Sequence, residues 1–140
     1  MSENTVYLLD TNIISDMMRN PGGAAARMAS ARARQNAACS MVTSVIVHCE
    51  VLFGIRRRTS SKWQQQYDAA LEGIEILPLT LEIPAIYASL RGRLEAQGTP
   101  IGPNDTLIAA HALSLGATLV SADAEFNRVP DLKVENWLQA

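Results

Sequence analysis

The sequence predicts a three-layer α/β/α sandwich in which helices cover both faces of a largely parallel, five-stranded sheet. The chain has 140 residues, the length of one domain, so we expect residues 1–140 to fold as a single unit. Hydrophobic residues make up 48% of it and charged residues 19%, which excludes a disordered chain. Short apolar segments alternate with helical patterns, and such alternation indicates right-handed crossovers between parallel strands.

The first half of the chain contains two predicted strands. Val6–Leu9 is apolar without alternation, as expected of a strand that is buried on both faces. Thr11 or Asn12 is expected to cap a short helix, which Asn20-Pro21-Gly22-Gly23 ends. Four more elements follow in order: a helix over Ala24–Gln35, a strand over Ala38–Val42, a helix capped by Thr43 or Ser44 that runs to about Arg57, and a helix over Ser60–Leu71.

The second half contains the other three strands. Its clearest helix is Leu81–Gln97, because apolar residues recur there at three- and four-residue steps and Gly98 stops the pattern. A loop rich in Pro and Gly separates that helix from a second one over Asp105–Leu115. The three predicted strands are Ile74–Leu79, Thr118–Val120 and Leu132–Glu135.

The chain lacks the features of membrane and exported proteins. Its longest apolar runs are of strand length, far below the roughly 18 residues that span a bilayer. No apolar stretch follows a basic start, as in a signal peptide. Cys39 and Cys49 do not have the spacing of a metal site, and we expect both to be reduced and buried. The sequence therefore predicts a cytoplasmic protein without membrane contact.

Four carboxylates occupy positions that this fold can bring together. Asp10 directly follows the first strand and Asp123 follows the fourth, and the carboxyl ends of parallel strands line the crevice where strand order reverses. Glu50 shares its helix row with apolar residues, so its side chain is predicted to face the protein. Asp105 opens a helix after a loop, where a carboxylate is favoured.

Such a cluster of like charges requires a cation. None of these segments contains a Lys or Arg, and carboxylate oxygens suit one or two ions of Mg²⁺ or Mn²⁺. A site of this kind can activate a water for in-line attack on a phosphodiester. Asn12, Ser44 and Ser121 are expected to hold the carboxylates or waters from behind. Two bound divalent ions would change the net charge from −2 to +2, so the acidic composition does not exclude a negatively charged RNA substrate.

Each residue considered alone also has a structural explanation. Asp10 and Asp105 could cap helices, and Asp123 could be a turn residue. His48 and His111 are interpreted as surface or hydrogen-bonded core histidines in preference to catalytic bases. The run Arg56-Arg57-Arg58 is interpreted as a solvated helix end, with contact to an RNA backbone as the alternative.

Two other functions remain open from the residues alone. A phospho-acceptor or phosphatase-type α/β domain also gathers aspartates at strand ends. It would need a lysine in the crevice, and Lys62 and Lys133, the only lysines, lie outside these segments. A non-catalytic partner-binding module is the second alternative. A dinucleotide-binding domain is excluded, because Leu9–Ser15 contains no glycine-rich turn.

Four stretches carry a family resemblance by their residues and their order: Leu8-Leu9-Asp10-Thr11-Asn12-Ile13-Ile14-Ser15, Ser44–Gly54, Gly102–Ala112 and Leu119–Phe126. They resemble the motifs of PIN-domain ribonucleases, in particular the VapC-type toxins of bacterial type II toxin–antitoxin pairs. Arg128-Val129-Pro130 and Val134–Trp137 resemble the end of the same family. The resemblance therefore covers nearly the whole chain.

The resemblance implies a PIN fold, a Mg²⁺-dependent endoribonuclease and a homodimer. It also implies a cognate VapB-like antitoxin that blocks the crevice, and promoter DNA bound only through the antitoxin complex. The acidic site that it implies consists of Asp10, Glu50, Asp105 and Asp123. Ala122 stands where many relatives carry a polar or basic residue, which leaves open whether Asp123 or Glu125 is the fourth acid.

Overall fold

The computed structural model describes residues 4–138, which form one sheet with helices on both sides. The strands are β1 (Val6–Leu9), β2 (Ser40–Ser44), β3 (Ile74–Leu77), β4 (Thr118–Val120) and β5 (Lys133–Glu135). The α-helices are α1 (Thr11–Arg19), α2 (Ala24–Gln35), α3 (Val45–Arg56), α4 (Lys62–Ala70), α5 (Ile83–Ala96) and α6 (Pro103–Leu115). A short 3₁₀ helix over Ala124–Arg128 precedes β5.

The strand order places the ends of β1 and β4 side by side. The order across the sheet is β3-β2-β1-β4-β5, and every neighbouring pair is parallel. The chain builds outwards from β1 to β3 on one side and then adds β4 and β5 on the other, so the order reverses between β1 and β4. Leu9 lies opposite Val120 in the register, and the Asp10 amide donates to the Val120 carbonyl at 2.9 Å. The predicted α/β/α fold is confirmed, and its crevice lies where β1 meets β4.

The core forms on both sides of the central strand. Leu8 and Leu9 of β1 have no exposed surface, in agreement with an apolar strand that is covered on both faces. Trp137 closes the core near the end of the described chain, with its ring 5.3 Å from that of Tyr7. The largest other side chains that are completely buried are Tyr67, Phe126, Ile13, Ile14, Ile83, Leu94, Ile108 and Leu119.

Several predicted boundaries and caps are corrected by the structure. The second strand runs over Ser40–Ser44 instead of Ala38–Val42, because Ser44 both ends the strand and caps α3 through its hydroxyl. The cap of α1 is Asp10, whose carboxylate accepts from the Thr11 amide, and not Thr11 or Asn12. The helix α6 begins at Pro103, where the missing N–H costs nothing.

The two cysteines are less buried than predicted. Cys39 is half-buried and Cys49 is exposed on α3, and both are free thiols. The apolar neighbours of Cys49 in the sequence suggested burial, but α3 turns this position away from the sheet. Within residues 4–138, no helix combines the length and apolar character that a bilayer crossing requires.

Candidate active site

Asp10 is the buried anchor of the site at the end of β1. Its side chain is 5% exposed, and its Oδ1 accepts from the Thr11 amide at 2.8 Å. Its Oδ2 accepts from the Ser121 hydroxyl at 2.7 Å, which joins the ends of β1 and β4. Burial raises the pKa of Asp10 above its ordinary value, the bonds from Ser121 and Thr11 oppose that rise, and the charges of Glu50 and Asp123 add to it.

Asn12 in the first turn of α1 and Ser121 at the end of β4 hold the Asp10 carboxylate in place. The Asn12 amide nitrogen lies 3.4 Å from Asp10 Oδ2 and 3.3 Å from Ser121 Oγ, while its oxygen accepts from the Ala122 amide at 3.0 Å. The Ser121 hydroxyl also accepts from the Asp123 amide at 3.0 Å. Asn12 and Ser121 therefore lie where the sequence placed them, in contact with the first carboxylate.

Glu50 reaches the site from the middle of α3. Its Oε1 accepts from the Thr11 hydroxyl at 2.8 Å, so the first residue of α1 orients a carboxylate that lies 39 residues later in the chain. Glu50 is half-buried, although the apolar row from which its burial was predicted is itself partly exposed, since Phe53 three residues later is 63% exposed. Its charge acts on both Asp10 and Asp105, and all three therefore belong to one acidic cluster.

Three further acids of the cluster lie close together. Asp105 in the first turn of α6, Asp123 after β4 and Glu125 in the 3₁₀ helix each offer an oxygen, and these oxygens lie within 4.8 Å of one another. Asp123 is held by accepting from the Glu125 amide at 2.9 Å. Both candidates for the fourth acid therefore face Asp105.

Asp105 has the largest pKa shift among the carboxylates of the cluster. Burial, and to a smaller extent the charges of Asp10, Asp123, Glu50 and Glu125, together raise its pKa from 3.8 to about 6. A carboxylate perturbed by burial and by several like charges in a crevice is typical of a functional site. The geometry and the electrostatics together suit a cation that is bound by oxygen ligands.

Ser44 is close to the site without touching its carboxylates through a hydrogen bond that the structure describes. Its hydroxyl accepts from the Ile46 amide at 3.1 Å and lies 2.8 Å from His111 Nδ1. Burial lowers the pKa of His111, which favours the neutral ring. His48 Nδ1 lies 2.8 Å from the Tyr67 hydroxyl. These serine and histidine side chains position α3, α4 and α6.

Thr11 is the residue whose part in the site the sequence did not indicate. The sequence indicates Thr11 only as a helix cap, whereas in the structure its hydroxyl orients Glu50. No local pattern could reveal this contact, because it depends on how α1 and α3 pack. The position directly after Asp10 was the one available signal.

Comparisons with known proteins identify the family of the chain. Residues 7–132 match the family model described as PIN domain. The chain is 34% identical over 134 residues to Ribonuclease VapC2 of Rickettsia felis, covering 94% of this chain and 98% of the relative. It is 31% identical over 137 residues to the tRNA(fMet)-specific endonuclease VapC of Shigella flexneri, covering 94% of this chain and 97% of the relative.

Solved structures show the same similarity. VapBC2 of Rickettsia felis bound to a DNA fragment from its promoter superposes with a TM-score of 0.87 at 31% identity, covering 95% of this chain and 99% of the other. VapBC-1 of nontypeable Haemophilus influenzae superposes with a TM-score of 0.81 at 32% identity, covering 96% of this chain and all of the other. This chain belongs to the PIN-domain family, and within it to the group of the VapC proteins.

Proposed function

We propose that the protein is a Mg²⁺-dependent endoribonuclease, the toxin of a VapBC-type toxin–antitoxin pair, which hydrolyses RNA phosphodiester bonds. The observation that carries the proposal is the convergence of five carboxylates from separate elements at the reversal of strand order, with the pKa of Asp105 raised to about 6. The relatives' names, ribonuclease and tRNA(fMet)-specific endonuclease, support the reaction class.

The residues of the cluster fit a hard divalent cation. The oxygens of Asp105, Asp123 and Glu125 lie within 4.8 Å of one another, and oxygen ligands at this density suit Mg²⁺, with Mn²⁺ as the alternative. We assign Asp10 and Asp105 as principal ligands and Asp123 as an auxiliary ligand, which Glu125 could replace. When bound, the ion supplies charge neutralisation and an acidified water for attack on phosphorus.

The protein's own side chains orient the reaction. Glu50, held by the Thr11 hydroxyl, is assigned as a ligand or as the base that orients the attacking water. Ser121 and Asn12 fix the Asp10 carboxylate so that it does not have to reorganise during the reaction. The phospho-acceptor alternative is less well supported, because among residues 4–138 no lysine acts on Asp10 or Asp105, as such a domain would require.

Purified protein incubated with total RNA tests this proposal. Cleavage is expected with Mg²⁺ and should stop with EDTA, and Asp10→Asn and Asp105→Asn should abolish it. Asp131→Asn, which removes an exposed acid outside the cluster, is the matched control and should cleave normally. Equal cleavage by Asp10→Asn and the unaltered protein would refute the assignment, and a folded protein without cleavage under any divalent ion would favour a partner-binding module.

We also propose a VapB-like antitoxin as partner, a homodimer, and promoter contact only through the antitoxin complex. The structural neighbours are VapBC complexes, one of them described as bound to promoter DNA. Four large hydrophobic side chains are exposed and suit protein contacts: Leu52, Phe53, Leu79 and Leu81.

Two experiments test these partners. Expression in the cytoplasm should arrest growth, and co-expression of a small neighbouring gene should relieve the arrest. Light scattering of the purified toxin tests the homodimer. No arrest would contradict the toxin assignment.

A further inference from the structure

A groove leads away from the carboxylate cluster between α1 and α3. At its inner end lie Thr11 and Glu50, joined by their 2.8 Å hydrogen bond. At its outer end lie Arg19, Arg58 and the ring of Trp63. The cavity measures about 170 Å³; Glu50 is the acid of the cluster that lines it, and Met18, Val51 and Ile55 contribute apolar wall.

The two ends of the groove are separated by the same length of chain on both walls. Arg19 lies eight residues after Thr11, and Arg58 lies eight residues after Glu50. At a rise of about 1.5 Å per residue, Arg19 lies about 12 Å along α1 from Thr11, and Arg58 lies two residues beyond the end of α3. The groove therefore runs from an acidic end at Glu50 to a basic end at Arg19 and Arg58, a distance that a short polymer segment can span.

The basic end has no acidic partner within the described part of the chain. The ion pairs found in residues 4–138 involve Arg32, Arg91 and Arg128, and none reaches the groove. The Arg58 guanidinium instead lies over the Trp63 ring, 4.5 Å from its centroid, and the Lys62 ammonium lies 5.2 Å from the same ring. Unpaired cations around an aromatic face are the groups that bind a phosphate backbone and its bases.

Gly54 contributes no side chain to the wall of the groove. It lies inside α3, where glycine costs roughly 0.5–1 kcal/mol relative to alanine. A Cβ at this position would have no atom within 4 Å, so the packing of the fold does not require a glycine here. The space in front of Gly54 is therefore available to a ligand.

We propose that this groove seats the RNA strand adjacent to the phosphodiester that is cleaved. Arg19 and Arg58 bind backbone phosphates, and Trp63 contacts a base. The inference rests on the proposed ribonuclease function. RNA suits the groove better than a protein segment does, because a phosphate strand neutralises the unpaired cations and leads its next phosphate to the carboxylate cluster.

RNA binding is measured in an Asp10→Asn background, in which cleavage is expected to be silent. The probe is a fluorescein-labelled 20-nucleotide single-stranded RNA of mixed sequence, followed by anisotropy at several salt concentrations. Arg19→Gln with Arg58→Gln should weaken binding by about tenfold and reduce the salt slope by about 0.7 for each lost phosphate contact. Arg34→Gln with Arg93→Gln removes the same two charges from exposed arginines of α2 and α5 that have no ion pair in the described chain, and should change little.

A steric variant tests the groove without altering charge. Gly54→Leu fills the space in front of α3 and should raise KM for RNA cleavage at least about tenfold, with a smaller effect on kcat. Gly92→Leu is the matched control, because Gly92 is also inside a helix with nothing within 4 Å of a Cβ. Urea denaturation of both variants verifies that they fold. A Gly54→Leu protein that folds and cleaves normally would overturn the proposal.

The outcomes separate the groove from the proposed function. RNA binding that depends on both arginines, in a protein that never cleaves RNA, would support the groove and refute the nuclease. Normal cleavage with RNA affinity unchanged by the double arginine variant would refute the groove alone. A co-purifying polypeptide that the double variant loses, with unchanged RNA affinity, would assign the groove to a protein partner and would also overturn the proposal.

Discussion

Replacing Asp105 with Asn should stabilise the metal-free protein while it removes activity. The raised pKa of Asp105 means that the folded state resists its ionisation, because the side chain is half-buried and faces four other carboxylates. The shift from 3.8 to about 6 corresponds to about 3 kcal/mol at about 1.4 kcal/mol per unit. Solvent screens a half-exposed group, so we expect a gain of about 1–2 kcal/mol from Asp105→Asn at pH 7.5.

The dependence of this gain on pH has a definite sign. Between pH 3.8 and about 6 the folded state binds more protons at Asp105 than the unfolded state does, so this residue's contribution to stability falls as pH rises. The gain from Asp105→Asn should therefore be near zero below pH 4, grow through that range and stay constant above it. His111, whose pKa is lowered by burial, contributes the opposite slope, but equally in both proteins.

Urea denaturation in EDTA at pH 4, 5 and 7.5 measures this difference. Adding Mg²⁺ at pH 7.5 should stabilise the unaltered protein more than Asp105→Asn, because a ligand that binds the folded state raises its stability. Asp131→Asn serves as control, since Asp131 is exposed in a turn at φ 66° that Asn also adopts, and should show neither effect. If Asp105→Asn is no more stable than the unaltered protein at pH 7.5, then burial and the four neighbouring carboxylates do not destabilise the ionised form of Asp105.

Three further outcomes are expected. Thr11→Val removes the hydrogen bond that orients Glu50, so kcat should fall about tenfold or more and the free energy of unfolding should fall by roughly 1.5–3 kcal/mol; Thr11→Ser should retain both, and an unchanged kcat in Thr11→Val would exclude an orienting role. Ser121→Ala should cost about 1–3 kcal/mol in urea denaturation, because it deprives a buried carboxylate of its donor. By calorimetric titration, Asp123→Asn should weaken Mg²⁺ binding more than Glu125→Gln, because Glu125 is exposed; the reverse order would make Glu125 the fourth ligand.

Local sequence patterns determined most of the architecture. The apolar run Val6–Leu9 identifies a strand that is buried on both faces. The three- and four-residue periodicity of α5 identifies a helix with one buried face, because burial selects apolar residues at the positions that face the core. Boundaries were less accurate. Ser44 belongs to a strand and caps a helix at once, and a propensity pattern does not resolve such a double role.

In the candidate site, too, local sequence patterns predict some features and contacts between distant elements determine the others. Asp10 and Asp123 were placed by the simple rule that residues after parallel strands share one edge, and Glu50 by its apolar helix row. The contact of Thr11 with Glu50 was not accessible, because it joins side chains of helices that are far apart along the chain, whereas Glu125 was one of the two candidates for the fourth acid and lies with Asp123 beside Asp105.

The sequence by itself determined the alternation of strands and helices, the identity of the acids and the element that carries each of them. Only the tertiary structure decided that β1 and β4 are neighbours, that Ser121 reaches Asp10 across 111 residues, and that α1 and α3 enclose a groove with a basic end. The reason is physical. Periodicity and capping depend on residues within one or two turns, whereas strand order and helix packing depend on burying apolar surface between distant segments, and that choice sets the distances between the carboxylates.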